Sequence, residues 1–119
     1  MLVEKGNQIY ADLSSFAPLT SLLTKGANGI RPLMAEASDG KSFVTYAIRF
    51  LGYKTKDNPT DFQVIIWSWA DSYNKTVAIA DQVELALAAS SNFYSYESGT
   101  PKYNEQNEIY TEQIFNIKS

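Results

Sequence analysis

The run from Asp61 to Ser90 constrains this chain more than any other stretch. DFQVIIWSW alternates as a strand does, with Phe62, Val64, Ile66 and Ser68 on one side and Gln63, Ile65, Trp67 and Trp69 on the other. Apolar residues on both sides mark a central strand. ADSYNK then leads into TVAIADQVELALAAS, where Ile79, Ala80, Val83, Ala86 and Leu87 fall on one helical stripe while Lys75, Asp81, Gln82 and Glu84 mostly face solvent. Asp71 or Ser72 stands where that helix needs a cap. A strand passing directly into a helix whose stripe needs a sheet to lie on points to the α+β class.

The rest of the chain supplies partners for that pair. Ile9, Leu13, Phe16, Leu19, Leu22 and Leu23 recur at helical steps, and Pro18 divides them into a helix from Val3 to Ser15 and a short one from Pro18 to Leu23, with Ser14 or Ser15 as cap. KGANGI is a glycine loop, followed by an extended piece in which Ile30, Leu33 and Met34 face inward and Pro32 confines the strand to an edge. SDGK turns the chain into the strand SFVTYAIRFLGY, with Phe43, Thr45, Ala47, Arg49 and Leu51 on one side and Val44, Tyr46, Ile48 and Phe50 on the better buried one. KDNPT then makes a hairpin turn into the central strand. NFYSYE, residues 92–97, is a short aromatic strand, SGTPKYNEQN a polar connection, and EIYTEQIFNIK a closing strand that pairs with NFYSYE. The expectation is one domain over residues 1–119, with a twisted, largely antiparallel sheet of about four strands and an N-terminal and a central helix packed mainly on one face.

Composition removes most chemistries. Without histidine or cysteine there is no Ser/His/Asp triad, no thiol nucleophile, no disulfide and no histidine or thiolate metal site within a subunit. Thirteen acidic against ten basic residues, with no basic run, argue against sequence-specific DNA binding. No apolar run approaches the ~20 residues of a membrane span. Glu4, Asn7, Gln8 and Asp12 interrupt the apolar region a signal peptide requires, so synthesis in the cytoplasm and no membrane partner are expected. The remaining titratable groups are scattered. Asp81 and Glu84 share a helical face but supply too few oxygens for a hard cation, KGANGI matches no phosphate-binding loop, and Lys25, Lys54, Lys56 and Lys75 lack a spacing that argues for a base. No catalytic residue, metal or cofactor is assigned.

Aromatic residues are the anomaly. Trp67 and Trp69 share one side of the central strand, and Tyr94, Tyr96, Tyr103 and Tyr110 gather in the last third of the chain. Core packing for Trp67 and sheet packing for the tyrosines is the ordinary reading. The sharper one places Trp69, Tyr94, Tyr96, Tyr103 and Tyr110 at an oligomer interface, where an apolar body and a polar tip are both useful. A small-molecule or peptide-binding face is the alternative, and a platform for single-stranded nucleic acid lacks the basic residues it needs.

FVTYAI, the strand ending IWSWADSY, and AIADQVELAL directly after it, in this order between a helix near IYADL and a closing pair of strands, resemble the tail completion or tail terminator proteins of long-tailed phages and prophages. The likeness runs from about Ile9 to Ile117. It implies a non-enzymatic structural subunit that forms a homo-oligomeric, commonly hexameric, ring. That ring caps the tail tube protein, joins the tube to the head connector protein, and lets DNA pass without sequence-specific binding. The location it implies is the virion tail, after assembly in the host bacterial cytoplasm.

Overall fold

In the computed structural model, which describes residues 2–34, 40–50, 60–90, 92 and 94–118, the chain runs α1 (Leu2–Ser14), α2 (Ala17–Thr20), a 3₁₀ turn (Gly26–Gly29), β1 (Ile30–Pro32), β2 (Phe43–Phe50), β3 (Thr60–Ala70), α3 (Tyr73–Ala89), β4 (Tyr94–Tyr103) and β5 (Ile109–Lys118). The strands form one sheet in the order β1-β2-β3-β5-β4, so β3 is central, as its two apolar sides require. β1 pairs with β2 in parallel and every other pairing is antiparallel. The α+β class and largely antiparallel sheet are as expected, with five strands instead of about four.

Alternation decides which side chains meet the helices. Val44 and Tyr46 on β2, Phe62, Val64 and Ile66 on β3, and Phe115 and Ile117 on β5 share a core with Ile9 and Leu13 of α1, Leu19 of α2, and Ile79, Val83 and Leu87 of α3. Ala80 and Ala86, both buried, keep the helix surface thin where α3 crosses the sheet. Ser72 caps α3 by accepting from the Lys75 amide at 3.2 Å. Beneath the helix runs a polar seam: Thr76 donates to the Ser68 carbonyl, and Gln113 Nε2 donates to the Ala80 carbonyl at 3.0 Å.

Several local expectations are corrected. α2 begins at Ala17 with Phe16 as a cap that lends no side-chain hydrogen bond, so neither Ser14 nor Ser15 caps it. The glycine loop closes as a 3₁₀ turn. Leu33 and Met34 do not face inward; they are 69% and 79% exposed, because Leu33 stands three residues from inward Ile30, on the other side of a strand, and β1 ends at Pro32, before Met34. β4 runs past NFYSYE to Tyr103, taking in the first six of the ten residues read as a polar connection. Its polar residues tolerate a strand because, among the described strands, β4 lies at the edge beside β5 and is mostly exposed. Trp67 lies opposite the helices, not in the core. The turn KDNPT up to Pro59, Leu51, Lys54, Lys56, Ser38, Asp39, Ser91 and Phe93 lie outside the described residues. Among the described residues no helix is long and apolar enough to cross a membrane.

Candidate assembly surface

Among the described residues, the same alternation that fills the core leaves the second face of the sheet without a helix packed on it, since α1, α2 and α3 all meet the core face. Register places Phe43, Thr45, Ala47 and Arg49 of β2 opposite Trp69, Trp67, Ile65 and Gln63 of β3, which in turn oppose Tyr110, Glu112, Ile114 and Asn116 of β5. Three zones follow. At one end Phe43, Trp69 and Tyr110 stand side by side, with ring centroids 5.7 Å apart for the first pair and 4.6 Å for the second. In the middle lie Ala47, Ile65 and Ile114, all half-buried. At the far end Arg49 donates to Gln63, whose Nε2 donates to Asn116 Oδ1 at 2.9 Å and to Glu97 Oε2 at 3.2 Å.

Hydrogen bonds fix both indoles. Trp69 Nε1 donates to Thr45 Oγ1 at 3.0 Å, and Trp67 Nε1 to Glu112 Oε2 at 3.0 Å. Glu112 also pairs with Lys102 at 3.1 Å. Burial pushes the Glu112 carboxyl up, but the hydrogen bonds from Lys102 and Trp67 outweigh it and hold the group below its ordinary range. Indoles whose N–H groups already have acceptors can meet a partner without leaving those donors unpaired.

The five residues expected at an interface do not share this face. Trp69 and Tyr110 do. Tyr94 and Tyr96 oppose Ile117 and Phe115, and Tyr103 opposes Ile109, all on the helix side. Tyr94 is a fold residue: its hydroxyl donates to Asp12 Oδ2 at 2.6 Å and accepts from Gln8 Nε2 at 3.1 Å, fastening β4 to α1. Burial, then the Asp12 hydrogen bond, raise its pKa. Tyr94→Phe removes a hydrogen bond to a charged group, so urea unfolding should show a loss of about 1.5–3 kcal/mol. Tyr96 packs edge-on against Phe115 while half exposed, and Tyr103, 76% exposed, borders a cleft of about 210 Å³ with Tyr73 and Pro101. Phe43, Ile65 and Ile114 belong to the surface and were missed, since β-strand register, not composition, aligns them with Trp69.

Two clefts flank the aromatic end. One, of about 340 Å³, includes Gly40, Lys41, Phe43, Trp69, Asp71 and Glu108 in its lining. The other, of about 270 Å³, is lined by Leu33, Met34, Phe43, Thr45, Trp69 and Glu108. Gly40 turns the chain at φ 81°, where a side chain would also strike Thr24. A third cleft, of about 350 Å³, lies along the β1 edge between Val3, Gly6, Leu33 and Ile48. Leu33 borders two of the three and holds φ at 63°, a conformation that costs a residue with a Cβ roughly 1–2 kcal/mol. Leu33→Gly should therefore leave stability in urea unchanged or raise it by up to about 1 kcal/mol.

Strand addition along β4 is opposed by the sequence itself. The free edge carries Pro101, Lys102 and a bulge between Tyr96 and Ser98, three features that discourage pairing with another strand. Among the described residues no group of three or more acidic side chains is placed to hold a metal ion, and Asp81 and Glu84 are both exposed. No model of a known protein family matches the chain, and no curated protein matches it significantly.

Proposed function

We propose that this chain is a structural protein of a phage or prophage tail, not an enzyme, whose copies close into a ring that caps the tail tube and joins it to the head connector. The observation that carries the reading is the uncovered sheet face, where Ile65, Ile114, Trp67, Trp69, Phe43 and Tyr110 form an apolar and aromatic surface over three adjacent strands. A ring also needs a second, different patch on each subunit, because head-to-tail contacts join unlike surfaces. The β1 edge, with Val3 76% and Leu33 69% exposed around a cleft, has the apolar character such a patch requires.

The resemblance of FVTYAI, IWSWADSY and AIADQV to tail terminator proteins supplies the ring's role and its partners, the tube protein and the connector. The formal charge of −3 per subunit suits a ring through which DNA passes without being gripped. The mature location on this reading is the virion tail. Light scattering across a concentration series tests the assembly step: a rise from subunit mass to a discrete, ring-sized species supports it, and a monomer at every concentration, alone and with tube protein, opposes it.

The two clefts that share Phe43, Trp69 and Glu108 favour a second reading, a peptide- or small-molecule-binding module using the aromatic end. Their shallow lining along the sheet, instead of a deep apolar pocket, places it behind the first.

A further inference from the structure

We infer that the cleft beside Trp69 is a receptor for a single basic side chain, an arginine, carried by a partner chain. The inference rests on reading the uncovered sheet face as an assembly surface and names the chemistry of what enters its end. Phe43, Trp69, Ala70 and Ile109 form an apolar lining, and Asp71 and Glu108 line the same cleft. That combination matches the two parts of an arginine side chain, a methylene stem that packs on apolar surface and a planar cation that pairs with carboxylates.

The receptor is built before any partner arrives. Trp69 is held by its hydrogen bond to Thr45 and by Phe43 and Tyr110 on either side of it in the sheet. Glu108 is positioned by a tight turn in which Asn104 Oδ1 accepts from the Gln106 and Glu108 amides at 3.0 and 2.9 Å, while Asn104 Nδ2 donates to Glu108 Oε1 at 2.8 Å. Lys41 is the cation in the lining, set against the carboxylates of Asp71 and Glu108, so the cleft carries net negative charge. A neutral apolar side chain would leave those carboxylates unused, and an acidic one would be repelled.

The test uses the whole chain and two small probes, Nα-acetyl-arginine amide and its neutral counterpart Nα-acetyl-citrulline amide, read through the indole N–H signals of Trp69 and Trp67 by NMR. Saturable shifts of the Trp69 signal at millimolar arginine amide, without saturation by the citrulline amide, are expected. Asp71→Asn with Glu108→Gln should weaken that binding about fivefold, and Lys41→Ala should tighten it about twofold, as exposed charges of this kind do. All three residues are exposed, so the variants keep their fold and their spectra. Equal response to both amides, or binding unmoved by the paired acid substitutions, overturns the inference. Arginine selectivity in a chain that never forms rings keeps the receptor and removes the tail reading; rings without arginine selectivity do the reverse.

Discussion

Phe115→Ala should lower the free energy of unfolding by about 3–5 kcal/mol, the cost of emptying a large aromatic site in a packed core. Phe115 is 2% exposed, faces Val64 across the β3–β5 ladder, and carries Tyr96 edge-on with ring centroids 5.4 Å apart. It therefore joins the central strand to the edge strand as well as to the helices. Because domains of this size are stable by only about 5–15 kcal/mol, the variant should unfold at markedly lower urea with a similar slope. A loss below about 1 kcal/mol would mean that β4 and β5 contribute little to the cooperative unit.

The neighbouring residue should give the opposite pattern. Ile114→Lys changes the next side chain along β5, but Ile114 points to the uncovered face, opposite Ile65, and is half-buried in the free subunit. Losing that cross-strand pair costs the fold only about 0.2–1 kcal/mol. In the proposed assembly through this face a lysine at its centre is a different matter, because its charge would be desolvated with no partner. A penalty of at least about 2 kcal/mol per contact, as at interface hot spots, weakens each contact roughly 30-fold or more. Circular dichroism should show a native fold while light scattering shows no assembly. Assembly equal to that of the unaltered chain would remove this face from the proposed contact.

How far the sequence foretold this follows from what each pattern encodes. Strand β3 and helix α3 were legible because DFQVIIWSW and TVAIADQVELALAAS each carry a complete period, and Ser72 supplied the cap. β4 was half missed, since Ser98, Gly99 and Pro101 have poor strand propensity and are held in the sheet by pairing with Ile114, Gln113 and Thr111. The same holds for the candidate surface. Trp69 and Tyr110 were found from composition, but whether an aromatic faces helices or solvent depends on register, which placed Tyr94, Tyr96 and Tyr103 on the helix side. Leu33 and Met34 were read as core because they are apolar, but Leu33 stands an odd number of steps from inward Ile30 and β1 ends before Met34.

The central proposal is that the uncovered sheet face and the β1 edge close copies of this chain into a ring that stops a tail tube. Electron microscopy of polymerising tail-tube subunits with and without the chain tests it most directly. The prediction is tubes of limited growth bearing a ring of added density at one end, and uncapped tubes when Ile114→Lys replaces the unaltered chain. Tubes that grow equally long and bare in the presence of the unaltered, folded chain would contradict it.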